Sequence, residues 1–236
     1  PGTYPDWTKY AAILCGSQFS EYNSAIFTIQ NVFIQNFYTG ISGTYYHGVT
    51  NAIGLFDSHL IDVWVDNTTA AAVILGGSGN KYDHMRITNC GSGFMFCRIS
   101  DESFDGGTII GCIVIATTGY DITFRDAGFY RPVDIIGTWF EQSGNGIVNM
   151  PYSTQLMTLS MIGNMFNSNS TLYELMTMNN CTKGIIEIFN CTFYSTAAGQ
   201  NQNVVMPTTT TQCKGVIRDS VKIAPDGTVT IYELNV

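Results

Sequence analysis

One six-residue phrase returns along this chain at an almost constant interval, and no other feature restricts the possible folds as strongly. It reads Ile29-Gln30-Asn31-Val32-Phe33-Ile34, then Phe56 to Ile61, Tyr82 to Ile87, Ile109 to Val114, Ile135 to Phe140, Met161 to Phe166 and Ile188 to Phe193. Its third residues, Asn31, Ser58, His84, Gly111, Gly137, Gly163 and Asn190, are 27, 26, 27, 26, 26 and 27 positions apart. The first position (Ile29, Phe56, Tyr82, Ile109, Ile135, Met161, Ile188) and the sixth (Ile34, Ile61, Ile87, Val114, Phe140, Phe166, Phe193) are apolar throughout, so both face a core. Between them stands Gly, Asn, Ser or His, residue types that tolerate bends and unusual φ. Each phrase therefore reads as two short strands meeting at a corner.

The segments around the phrases are rich in Ile, Val, Phe and Tyr and are bounded by Gly, Asn and Thr, which favours strand over helix. A unit of several short strands repeated every 26 or 27 residues is the arithmetic of a stacked solenoid. The expected fold is all-β: a right-handed parallel β-helix of about seven coils, rising ~4.8 Å per coil to a rod of about 30 Å. Residues 29–196 carry the coils, and 1–28 form an entry segment with a first irregular coil. Residues 197–236 form a linker and a C-terminal β-hairpin, signalled by Pro225-Asp226-Gly227 between Val221-Lys222-Ile223 and Val229-Thr230-Ile231-Tyr232. That hairpin is expected to cap the rod or to pack on neighbouring subunits, because end coils expose strand edges. Five residues after the anchors come Asn36, Asn89, Gln142, Ser168 and Ser195, a candidate polar ladder.

Composition excludes several partners. A net charge of -8 without a Lys/Arg cluster gives nothing to neutralise a phosphate backbone, so nucleic acid is not expected. No run approaches the roughly 18 apolar residues that a membrane span needs. The seven cysteines are odd in number and without a CxxC, which argues for small apolar fillers rather than a disulfide framework. Four Asn-x-Ser/Thr triplets, starting at Asn67, Asn169, Asn180 and Asn190, read as polar turns. His47, His59 and His84 have no metal-ligand spacing, and no phosphate loop, dinucleotide fingerprint or G-x-S-x-G elbow occurs, so no metal and no cofactor are expected. The chain opens at Pro1 without Met or a signal sequence, and reads as part of something longer.

Three stretches carry a family resemblance. Pro1-Gly2-Thr3-Tyr4 looks like the end of a P-x-G-T-Y segment, and Ile135-Ile136-Gly137-Thr138-Trp139-Phe140-Glu141 is similar to an I-x-G-x-W/Y-F-E coil. Looser variants start at Met161 and Ile188, where Asn167 and Tyr194 replace the Glu. Over roughly residues 1–196 the chain resembles the pectate-lyase-like parallel β-helices of bacteriophage tailspikes, trimeric receptor-binding proteins that often cut surface glycans. The resemblance implies a homotrimer on a virion tail, made in the host cytoplasm and acting outside. It implies a bacterial surface polysaccharide as partner and an N-terminal virion-attachment part before Pro1. These motifs mark core packing and are weak for activity.

Cleavage of such a glycan by hydrolysis needs two carboxylates flanking a groove. Asp101 and Asp126 follow their anchors at similar offsets and would lie about 5 Å apart on adjacent coils in register. Glu141, beside Phe140 and in an outward column assigned Gln35, Asp62 and Asn167, is the third candidate; an aromatic surface would suit a general acid. Tyr46 and Tyr152 would offer faces to sugar rings, with His47, Glu102 and Arg125 or Arg131 as polar contacts. Against this, Asp101 to Asp105 also reads as a solvated loop, Arg125 and Arg131 as partners of Asp126 or Asp134, and Glu141 as a packing residue. His59 and His84 read as structural histidines at the corner. Two functional readings follow, a glycoside hydrolase acting on polysaccharide and a non-catalytic tail-fibre or adhesin shaft. A lyase is disfavoured by the 10 cations. The outward column Phe33, Leu60, Ile113, Trp139 and Met165, with Ile110, Ile136, Ile162 and Phe189 nearby, is too apolar to face water comfortably and is the expected subunit contact.

Overall fold

The computed structural model describes residues 11–15, 24–26, 28–42, 55–75, 77–97, 105–125, 132–168, 176–177, 181–195, 204–205 and 213–235. All of the elements among them are strands, wound into a parallel β-solenoid of about five turns. Seven coils were expected from seven phrases. A phrase marks one corner, whereas a turn needs three strands in continuous register, and towards the C-terminus the third shrinks to the two-residue pieces Met176–Thr177 and Val204–Val205.

Each regular coil has a leading strand, a trailing strand and a return strand. In one of them the leading strand Gly77–Asp83 ends at a corner made by His84, Met85 points inward, Arg86–Thr88 trails, Asn89 turns, and Ser92–Cys97 returns. Every strand type stacks on its own kind, in parallel. The leading strands align Ile29, Leu60, Tyr82, Ile109, Ile135, Met161, Ile188 and Ile217. The trailing strands align Ile34, Val65, Ile87, Val114, Phe140, Phe166 and Phe193. Of these two columns every member but Ile29 is buried, and with Phe94, Phe96, Ile122, Phe124 and Val148 of the return strands they form one core.

The second coil corrects the expected register. Leu60, not Phe56, pairs with Ile29 and Tyr82, so Asp62 rather than Ser58 makes the corner, and Val65 rather than Ile61 fills the sixth position. The corner intervals there are 31 and 22 instead of 27 and 26, from Asn31 to Asp62 to His84. The physical reason is burial: Leu60 is fully enclosed and Ser58 lies buried inside the coil, its amide donating to the Asn80 side chain at 3.2 Å.

The corner itself follows from backbone sterics. Asn31, Asp62, His84, Gly111, Gly137, Gly163, Asn190 and Asp219 all have positive φ, between 51° and 64°. Non-glycine residues in that region are mostly Asn, Asp or His, and these are the types found here. The next residue points inward and has a backbone carbonyl to satisfy. Cys112 Sγ donates to Ile110 O, Thr138 Oγ1 to Ile136 O, Cys191 Sγ to Phe189 O and Ser220 Oγ to Arg218 O, while Asn164 Nδ2 reaches Ile135 O at 2.8 Å. Cys112 and Cys191 thus serve as small inward groups equivalent to hydroxyls, and Cys90, Cys112 and Cys191 are free and buried.

A second corner lies before the return strand, with positive φ at Asn36, Asn67, Asn89, Ala116 and Gln142. Of the expected polar ladder, Asn36, Asn89 and Gln142 occupy this corner and Ser168 stacks on Ser195; Asn67 joins the column, its Nδ2 donating to Asn36 Oδ1 at 2.6 Å, and Ala116 interrupts it. At this corner the stacked backbones touch. A Cβ on Gly144 would lie 2.1 Å from Thr118 O, so only glycine fits. At the C-terminal end Cys213–Ile223 pairs antiparallel with Val229–Asn235 around the Pro225-Asp226-Gly227 turn, and Tyr232 sets its ring edge-on against Phe193 at 5.1 Å. The inner column ends in Lys222, whose Nζ sits 3.7 Å from the Tyr232 ring centroid.

Candidate functional site

On the outer surface of the two phrase strands the first coils mix hydrogen-bonded carboxylates with the exposed aromatics Phe33 and Trp64, whereas the later coils are apolar beside the corner. In the second and third coils, Asp83 gathers three cationic or ionisable groups: Lys81 Nζ at 2.7 Å, His59 Nε2 at 3.4 Å and His84 Nδ1 at 2.5 Å. Hydrogen bonding from Lys81 above all holds its carboxyl below the ordinary aspartate range. On the trailing strands, Asp66 accepts from Thr88 Oγ1 at 2.7 Å, Asn89 Nδ2 at 2.9 Å and Gln35 Nε2 at 2.8 Å, and the Thr88 bond leads in depressing its pKa. Trp64 Nε1 donates to Thr88 Oγ1, and the Trp64 ring lies between Phe33 at 4.7 Å and the Arg86 guanidinium at 5.0 Å.

From the fourth coil onward the same columns become apolar. Ile110, Ile136 and Ile162 end the leading strands, Gly111, Gly137 and Gly163 make the corner, and Ile113, Trp139 and Met165 start the trailing strands. Trp139 and Ile162 are each 41% exposed. Space for a Cβ at Gly137 and Gly163 is empty to 4 Å, so the corner backbone itself is part of the surface. The expected apolar column is thus present with one correction. Leu60 is buried inside, and Trp64 takes its outward place because the second coil is re-registered.

Of the residues expected to bind or cleave a glycan, Asp101, Asp126, Tyr46, His47, Glu102 and Arg131 lie outside the described residues. Arg125 and Tyr152 are placed by their backbones, which pair on neighbouring coils after a register shift in the strand pair, while Cys97 is the neighbour of Arg125 on the other side. Glu141 stands on the trailing strand Trp139–Glu141, where Asn167 Nδ2 donates to its Oε1 at 3.1 Å. Its column runs Gln35, Asp66, Thr88, Ile115, Glu141, Asn167, so Asp66 replaces the expected Asp62, which sits at the corner. Asp66 and Glu141 are three coils apart, roughly 14 Å at one strand spacing per coil, beyond the separation of a hydrolytic pair. Among the described residues no two carboxylates occupy adjacent coils of one column.

His84 is a corner residue as expected, but His59 lies within the strand His59–Ile61, and both bond Asp83. Among the described residues no group of three His, Cys, Asp or Glu is placed to hold a metal ion, and no helix is long and apolar enough to cross a membrane. Sequence reasoning passed over Asp121. It is fully buried, accepting hydrogen bonds from Thr117 Oγ1 at 2.7 Å and Ser143 Oγ at 2.6 Å. Its signal was an acid inside the apolar strand run Tyr120-Asp121-Ile122-Thr123-Phe124.

The chain defined in this way is a parallel β-solenoid protein with a divided outer face. Set against known proteins, it matches no family model, no curated protein and no solved structure.

Proposed function

We propose that the chain is the shaft of a tailspike-type receptor-binding protein that engages a bacterial surface polysaccharide. The observation that carries this reading is the stiff parallel stack itself, whose outer columns repeat at one strand spacing and thus offer a long regular surface to a repeating polymer. The winding is right-handed, as parallel crossovers are in nearly all cases. Such a spike sits on a virion tail and acts outside the cell.

Three copies associate through the Ile136, Gly137, Trp139, Ile162 and Met165 surface, which is too apolar to leave in water. The strand Val229–Asn235 caps the end by covering the last strand edge. The oligomer is checked by light scattering. Wild type is expected as a trimer and the double variant Trp139→Asp, Ile162→Asp as a monomer, while a monomeric wild type at micromolar concentration would sink the proposal.

Cleavage is the finer part of the reading and rests on Asp101, Asp126 and Glu141, with Tyr46, His47, Glu102, Arg125 and Tyr152 as substrate contacts. A second reading, a non-catalytic shaft or adhesin, is favoured by a specific observation: Asp66, Asp83 and Glu141 are each engaged by neighbours rather than aimed at one another. The test is polysaccharide binding and reducing-end release on panels of bacterial surface glycans, comparing wild type with Asp101→Asn, Asp126→Asn and Glu141→Gln. Release lost in variants that melt normally establishes the hydrolase. Binding without release establishes the shaft, and absence of both removes the glycan from the proposal.

A further inference from the structure

The buried carboxyl of Asp121 lies where the second corner meets the return strand. It is fully enclosed, bridged to Thr117 of its own coil and to Ser143 of the next. Among the described residues no Lys, Arg or His pairs with it. The elements around it contribute Gly93 and Ala72 on neighbouring return strands, Val114 opposite, and Ile147 above. Cys90, stacked under Thr117 at the same corner, is the one titratable group on that inner side among the described residues, and its thiol is directed at Val65 O and Thr88 O.

Isolated charge in such a place is strongly disfavoured, and a carboxyl escapes by keeping its proton. The surroundings accommodate the neutral acid. Thr117 Oγ1 has a second acceptor, Gly119 O at 3.5 Å, besides Asp121 Oδ1 at 2.7 Å. With Asp121 protonated, its O–H donates to Thr117 Oγ1, and Thr117 turns its own proton to Gly119 O. With Asp121 ionised, Thr117 and Ser143 both donate to the carboxylate. The hydroxyl pair thus serves either state, but only the neutral one avoids a buried net charge.

We propose that Asp121 is a proton-held lock between adjacent coils, protonated in the folded solenoid around neutral pH and loosening the corner at 117–121 and 143–146 when it ionises. Burial is the leading cause that pushes its pKa up, to about 8. An unfolded aspartate titrates near 3.9, so the folded state keeps a proton that the unfolded chain releases. The sign is fixed by linkage: the contribution of this group is fully present below about pH 3.9 and is lost as pH rises towards about 8.

The experiment is thermal unfolding of the full chain from about pH 5 to about pH 9, with Asp121→Asn beside wild type. The wild-type Tm is expected to fall by several degrees up to about pH 8 and then level off; the variant loses most of that slope and exceeds wild type at the alkaline end. The same slope in both proteins overturns the proposal. If Asp121→Asn does not fold, carbon NMR of aspartate carboxyls in wild type decides: one carboxyl titrating near pH 8 supports the lock, and titration of every aspartate below about pH 5 overturns it. Amide exchange at Gly144 and Asn145, which donate to Thr117 O and Gly119 O, should rise more steeply with pH than the intrinsic rate does above about pH 8, while Gly137 and Gly163 keep their protection.

Discussion

The second and third coils and the fifth and sixth share one corner geometry and solve it with opposite chemistry. At Asp62 and His84 the left-handed turn is made by residues that carry polar side chains, and His84 bonds Asp83. At Gly137 and Gly163 the same φ is reached by residues with nothing to offer but bare backbone. The inner columns change in step: Val65 and Ile87 beneath the polar corner, Phe140 and Phe166 beneath the glycine corner. Backbone conformation therefore dictates only a short menu of residues. In the second and third coils the menu supplies Asp and His, and in the fifth and sixth it supplies Gly.

The comparison breaks most visibly in the core. Phe166 lies between Phe140 at 5.5 Å and Phe193 at 4.9 Å, and Phe166→Ala is expected to cost about 3–5 kcal/mol in urea unfolding. Val65→Ala, which removes less buried surface under the polar corner, is expected to cost about 1.5–3 kcal/mol. Equal losses would mean that the two halves of the core are packed to the same tolerance. At the corner, Gly137→Val forces a β-branched residue to positive φ and is expected to destabilise by more than about 1 kcal/mol, whereas Gly137→Asn, the residue type at Asn31 and Asn190, stays within about 1 kcal/mol.

The smallest effect is expected at Asp83. Asp83→Asn removes a charge from a surface cluster and costs less than about 1 kcal/mol near neutral pH. Because the folded pKa of Asp83 is depressed, its contribution is present above the ordinary aspartate value and disappears as pH falls through the acid range, opposite in sign to Asp121. Acid titration of stability in wild type and variant reads the difference directly.

The solenoid was legible because the leading-strand column stays apolar from coil to coil, as Ile109, Ile135, Met161 and Ile188 do. Register failed in the second coil, where Phe56 and Ile61 imitate the apolar ends of the phrase and give a spacing that looks regular. Only pairing distinguishes Leu60 as the buried member. The site was less legible, since nothing in a linear pattern says which carboxylates converge. Asp66 was invisible as a hydrogen-bonding hub because its partners Gln35, Thr88 and Asn89 are 31, 22 and 23 residues away, and Asp83 in part because His59 is 24 away. Asp101 and Asp126 lie outside the described residues, and their offsets from the anchors give no test of convergence.

The inward thiols at the corners have a chemical consequence. Burial pushes the Cys112 thiol up to about 12 and raises those of Cys90 and Cys191, so almost no thiolate exists in the folded coil to meet an electrophile. Alkylation must then wait for the coil around each sulfur to open. Cys90, Cys112 and Cys191 lie at different heights along the rod, and the order in which they take up a maleimide would report where the stack first unzips and in which direction the opening travels.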